Sequence, residues 1–281
     1  QVLLEPMRRN TAPCIAYAVY KIKSMCSDAN IIVVPSDHLI TNEAEYTRVL
    51  REGLDFIKTH KHSLLTLGMK PTRPETGYGY IQISDGDGAL RKVKTFTEKP
   101  NREMAEIFLK SDEFYWNSGM FLWHIDAITE AFDKYLPEIS SKFKEGKALY
   151  NTDKEQDYID KIYPTCKNIS IDYGIMEKSD SVHVLMADFG WSDLGTWQSL
   201  YEIGYSDEKG NVSYKCMKKI YDASDNLIVM PEGNLAVIDG LKGYLIAQYN
   251  GVLLICKKDE EAKIRQFVAD VEAMPDGKKF I

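Results

Sequence analysis

The strongest constraint on the fold is a rhythm near the N-terminus. IIVVPS (31–36) and LLTLGM (64–69) are short, largely apolar runs, and EAEYTRVLREGLDFIKTH (43–60) between them repeats apolar residues three and four apart. A strand apolar on both faces needs cover on each side, and a helix with one apolar stripe supplies it. The pattern therefore predicts a parallel sheet packed between helices. Upstream, APCIAYAVYKIKSM after Thr11 has helical spacing, and VLLE, ending at Glu5, reads as a strand. The β-α-β-α-β order predicts an α/β three-layer sandwich over residues 1–206.

Later segments extend this picture. GYIQIS and ALRKVKTFTEKP flank Asp85-Gly86-Asp87-Gly88 and predict a hairpin. Helices are expected at 101–111, 126–146 and 153–163, with the strand WNSGMFLWHI between the first two. SIDYGIMEKS (170–179) predicts a short helix capped by Ser170, VHVLMAD a strand, and LGTWQSLYEIG a helix. After Ser206 the pattern changes to short strands spaced by Gly, Asn and Asp: DNLIVMP, NLAVIDGL, GYLIAQYN and GVLLICKK. With the helix DEEAKIRQFVADVEAM they predict a small β-rich domain over 207–281.

Composition removes several functional classes. The formal net charge is −7 with no basic block, which argues against nucleic acid or an anionic membrane as partner. No apolar run approaches the roughly 18 residues of a membrane span. The five cysteines are scattered and odd in number, without a C-x-x-C pair, as expected of reduced thiols in a cytoplasmic protein rather than a disulfide framework or a zinc site. Asp85 and Asp87 lack the rest of a calcium loop and read as a tight turn.

Candidate chemistry collects at strand ends. In open α/β sheets ligands sit outside the carboxyl ends of the strands. Asp37 follows IIVVPS directly, and Asp193 stands in a Trp-Ser-Asp-Leu-Gly turn after VHVLMAD. Two such carboxylates suit a hard cation shared with substrate phosphates; each equally suits a turn or a helix cap. Lys99, after Glu98 at the end of TFTEKP, offers a point charge for a phosphate, and Glu98 can accept from hydroxyls. The Gly77 backbone in PETGYGYI permits close approach of a ligand. Asn117, beside Trp116, is an amide that needs partners wherever it is buried. Glu5 can accept from guanine N1–H and N2–H₂ together; Asn10 and Thr11 sit at a helix start, where capping is the competing role.

Taken in order, LEPMRRNTAP, VVPSDHLI, PTRPETGYGYI, TFTEKP, YWNSGMFLW, ISIDYGIMEK and GWSDLGTW resemble the bacterial-type mannose-1-phosphate guanylyltransferases. The resemblance covers residues 1–205 most strongly. It implies that the sandwich is Rossmann-like, and it implies transfer of GMP from GTP to mannose 1-phosphate with Mg²⁺, and a β-helix-like tail. It further implies that Asp37 and Asp193 bind Mg²⁺, that Lys99 holds the sugar phosphate, that Glu98, Asn117 and the Gly77 backbone hold mannose, and that Glu5 reads guanine with Asn10 and Thr11 near base or ribose. The Gly-rich loop that opens this family is absent before VLLE, so the natural protein is expected to extend upstream of Gln1. Another base or hexose phosphate, a non-catalytic sugar-nucleotide sensor and a homodimer stay open.

Overall fold

The computed structural model describes residues 1–281, in two compact units. The first comprises residues 1–36 and 40–191, the second residues 37–39 and 192–281.

In the first unit, α1 (Thr11–Met25), α2 (Glu43–Thr59), α3 (Arg102–Lys110), α4 (Ile125–Tyr135), α5 (Pro137–Glu145) and α6 (Glu155–Ile162) surround a sheet of β1 (Asn30–Val33), β2 (Leu64–Met69), β3 (Gly79–Ile83), β4 (Leu90–Glu98), β5 (Phe114–His124) and β6 (Val182–Ala187). The strand order is β1-β5-β2-β6-β4-β3, with β3 also pairing β5. Only β2 and β6 run parallel. The expected parallel sheet is thus a mixed one. Apolarity on both faces reports cover on both faces, not strand direction. The long β5 runs antiparallel to β1, β2 and β3 and sets the mixture.

Two cores confirm the three layers. On one face Trp123, Phe132, Phe143 and Tyr163 pack with the apolar side of α1. On the other Leu65, Leu67, Leu122 and Phe108 pack with Val49 and Ile57 of α2. Three expectations need correction. VLLE (2–5) forms no strand, because no neighbouring chain pairs with its backbone. IIVVPS contributes an edge strand that stops at Val33, and Val34 is exposed. The predicted 126–146 helix is two helices, since Pro137 has no N–H to continue the first and is accepted at the first turn of the second. No helix is long and apolar enough to cross a membrane.

The second unit holds α7 (Trp197–Ile203), β7 (Val212–Tyr214), β8 (Met217–Tyr221), β9 (Leu227–Val229), β10 (Leu235–Asp239), β11 (Tyr244–Tyr249), β12 (Val252–Lys257) and α8 (Ile264–Glu272). Residues 192–206 group here rather than with the preceding unit, because Trp197, Leu200 and Tyr201 of α7 pack on Val212, Leu227 and Leu245. β7, β9 and β11 pair in parallel, as do β8 and β10, and β12 closes antiparallel on β11. The chain winds in coils, and a buried side-chain ladder ties one coil to the next. Asn226 Nδ2 donates to Asn211 Oδ1 (2.9 Å) and to the Leu241 carbonyl (2.9 Å), while its Oδ1 accepts from the Tyr244 N–H (2.9 Å). Both asparagines are fully buried.

Replacing Asn226 by Leu would orphan the Tyr244 N–H, while Asn211 Oδ1 keeps the Asn226 backbone N–H (3.2 Å) and the Leu241 carbonyl keeps the Ser224 N–H (3.0 Å). An orphaned buried group costs about 1–3 kcal/mol, so Asn226→Leu is expected to destabilise the protein by about 1–3 kcal/mol in urea unfolding. A loss below ~1 kcal/mol would show that the ladder is not what holds the coils together.

Candidate functional site

In the first unit the ends of β3, β4 and β5 bring four expected or neighbouring groups together. The hairpin aligns Gly79 with Glu98. The Lys99 N–H donates to the Tyr78 carbonyl (3.1 Å), and Lys99 adopts the left-handed region with φ 49°. A non-glycine residue there is uncommon and costs on the order of 1–3 kcal/mol, which the surrounding structure must offset. Lys99 Nζ lies 2.8 Å from Glu98 Oε1. The Glu98 side chain is 8% exposed and that of Lys99 57%. This hydrogen bond is the main cause of the rise in the Lys99 pKa. The Glu98 N–H donates to Glu177 Oε1 (3.1 Å).

Asn117 approaches the same place from β5. Its Oδ1 accepts from Thr66 Oγ1 (2.9 Å) and the Gly119 N–H (3.3 Å), and its Nδ2 donates to Asp172 Oδ1 (2.9 Å). Asp172 opens the 170–179 segment, which is not an ordinary helical turn. The Glu177 N–H reaches back five residues to the Asp172 carbonyl (2.9 Å). Such π-type turns concentrate at functional sites. As expected, Ser170 Oγ caps the turn by accepting from the Tyr173 N–H (3.3 Å). Burial and then the nearby Glu98 carboxylate raise the Asp172 pKa to about 6, against the Asn117 hydrogen bond and the Lys99 charge. The Gly77 N–H is directed to Glu75 Oε1 (2.9 Å), so it is committed within that peptide turn.

Glu5, Asn10 and Thr11 gather elsewhere in the unit, at the start of α1. Asn10 (φ 65°) accepts from the Thr11 N–H (2.9 Å), and Thr11 Oγ1 accepts from the Ile171 N–H (2.8 Å). Their side chains serve the helix start and the turn that carries Asp172. Glu5 is exposed, and its carboxylate adds to the effect of burial in raising the Tyr163 phenol and in lifting the Cys14 thiol to about 12.

In the second unit, Asp37 and Asp193 both act on the ring of His38. Burial lowers the His38 pKa, and the two carboxylates oppose that shift. Asp193 Oδ1 accepts from the Gly195 N–H (2.9 Å), and Leu194 between them has φ 52°. No cluster of three or more His, Cys, Asp or Glu side chains suits a metal. Two carboxylates whose charges both reach His38 offer hard oxygens, the donor type that suits Mg²⁺ when substrate phosphates complete its shell.

Residues 1–210 match the nucleotidyl transferase family. The chain belongs to that family. This nucleotidyl transferase is 34% identical to a mannose-1-phosphate guanylyltransferase of Escherichia coli over 96% of its own length, and spans 59% of the length of that relative. Among solved structures it is similar to a protein described as mannose-1-phosphate geranyltransferase from Thermus thermophilus, with a TM-score of 0.84, 28% identity, and coverage of 97% of this chain and 78% of that one. It is also similar to a mannose-6-phosphate isomerase from Helicobacter pylori, with a TM-score of 0.57, 27% identity, and coverage of 67% and 72%. The seven motifs pointed to guanylyltransferases, and the relative at 34% identity carries that name.

Two residues of this nucleotidyl transferase escaped the sequence reading. Asp172 looked like part of a capped helix, and nothing in its neighbours along the chain signals Glu98 or Asn117. Gly79 lay inside PETGYGYI without a distinct role. A Cβ on Gly79 would fall 2.5 Å from Glu98 Oε2 and 3.3 Å from Asn117 Cβ, so the missing side chain is what lets those two groups approach. Gly79→Ala is expected to cost about 1–3 kcal/mol of stability through overpacking, read as a lowered Tm. An unchanged Tm would mean that Glu98 swings away freely.

Proposed function

We propose that this chain carries the nucleotidyl-transfer centre of an enzyme that makes GDP-mannose and pyrophosphate from GTP and mannose 1-phosphate. The observation that supports it most is the gathering of Gly79, Glu98, Lys99, Asn117 and Asp172 at one set of strand ends, in a chain 34% identical to a relative named for that reaction. Carboxylates that accept and an amide that donates are the groups a hexose needs. A half-exposed ammonium beside them suits the phosphate on its anomeric carbon.

In this reading a phosphate oxygen of mannose 1-phosphate attacks the α-phosphorus of GTP. The new P–O bond forms as the bond to the bridging oxygen breaks, and pyrophosphate leaves with that electron pair. No protein nucleophile is required. Lys99 holds the sugar phosphate and offsets its charge, and Glu98 and Asn117 orient the ring, so the main contribution is positioning two anions against their repulsion. Asp37 and Asp193 would hold Mg²⁺, which when bound neutralises charge on the phosphates. Glu5 would accept from guanine N1–H and N2–H₂. Asn10 and Thr11 spend their side chains on the helix start and on Ile171, which favours the capping role over contact with base or ribose.

The full-length protein, given GTP, mannose 1-phosphate and Mg²⁺, is expected to release pyrophosphate and GDP-mannose; neither product at saturating substrate would refute the reading. A charge-assisted hydrogen bond is worth about 1.5–3 kcal/mol, so Lys99→Ala should raise KM for mannose 1-phosphate about ten- to a hundredfold. KM for GTP should change by less than about threefold, since uniform loss for both substrates would mark a structural strand-end lysine.

A further inference from the structure

Asp172 is the one group in this subsite whose chemistry the roles above leave open. Asn117 shows why it matters. Asn117 Oδ1 faces Thr66 Oγ1, whose one hydrogen also reaches the Met120 carbonyl, and the Gly119 N–H, and Asp172 takes one of the two Nδ2 hydrogens. These partners fix which end of the amide donates, and one Nδ2 hydrogen remains beyond the bond to Asp172. Asn117 is 9% exposed, so a rotated amide would leave buried partners unpaired.

Asp172 also changes the charge of the subsite. From β4, Glu98 and Lys99 face it; from β5, the neutral Asn117 faces it. Its own turn brings Tyr173, which acts on Lys99, and Glu177, which feels Glu98 and Lys178. The face that α4 turns to the core is apolar except for Thr129. With Glu98 and Asp172 both ionised, the Lys99 ammonium stands against two carboxylates, with Glu177 and Lys178 as a further opposite pair beside them. With Asp172 protonated, Lys99 and Glu98 balance.

We propose that Asp172 is the positioning residue of this subsite: it locks the Asn117 amide as a donor and supplies a second carboxylate that opposes the phosphate of the incoming sugar. This rests on the reading that the subsite takes a hexose 1-phosphate. The sign follows from the charges. The Asp172 pKa is raised to about 6 in the folded protein. Below that pH its carboxyl is neutral and does not repel the phosphate. As pH rises through 6 it ionises and weakens sugar-phosphate binding.

A phosphomonoester itself loses a proton near pH 6, so the wild-type profile alone is ambiguous. The ratio of KM for mannose 1-phosphate in the wild type to that in Asp172→Asn removes the ligand's own ionisation. In the full-length enzyme this ratio is expected to climb about three- to tenfold between pH 5 and pH 8, the size of one charge–charge interaction near a protein surface, while the same ratio for GTP stays flat. Asp172→Leu, which cannot accept from Asn117, should raise KM for mannose 1-phosphate about tenfold at pH 5, where the charge of Asp172 is absent, with a smaller change in kcat. A ratio constant across pH overturns the charge role, and an unchanged KM in the Leu variant overturns the positioning role. If the wild-type enzyme does not use mannose 1-phosphate at all, the functional reading fails with the inference; if it does, a flat ratio defeats the inference alone.

Discussion

The subsite of the first unit depends on the amide of Asn117. A buried amide must satisfy four hydrogen-bonding positions, and here three come from separate parts of the chain: Thr66 on β2, Gly119 on β5 itself and Asp172 on the turn after α6. The pairing of β2 and β5 shifts register between Thr66 and Gly68, opposite this residue. Gly119 adopts φ 70° there. Regular pleating is given up at the one place where β5 must turn an amide to both a neighbouring strand and a distant turn.

The electrostatics follow from that geometry. Asn117 draws Asp172 in, and Asp172 lies close enough to Glu98 for that carboxylate to help raise its pKa, after burial. Like charges this near in a partly buried setting are tolerated only with a cation at hand, and Lys99 is held there by a left-handed backbone. Gly79 completes the arrangement by having no side chain where Glu98 lies. Strain, charge and close packing are concentrated at one group of strand ends, as expected where a structure is built for binding rather than for stability alone.

Much of the fold could be read from residue order. The apolar periodicity located most helices and strands, because burial of one face leaves a period in the sequence. It misplaced what depends on partners. VLLE has strand-like residues but no neighbour to pair with, and IIVVPS is an antiparallel edge rather than a buried parallel strand. Pro137 was visible as a helix breaker, yet the run around it was read as continuous.

The site divides the same way. The sequence alone determined which residue types stand at strand ends: Asp37, Glu98, Lys99, Asn117 and Asp193 are legible because each charged or amide group interrupts or closes an apolar run. It also determined the membership of the family, through seven motifs in order. Only the tertiary structure decided that Asp172 faces Asn117 and Glu98, that the charges of Asp37 and Asp193 both reach His38, and that Asn10 and Thr11 are occupied at a helix start. The physical reason is range. Periodicity and turn chemistry act over a few residues, whereas hydrogen-bond partners and charge pairs are chosen by proximity in space, and Asp172 lies 55 residues from Asn117.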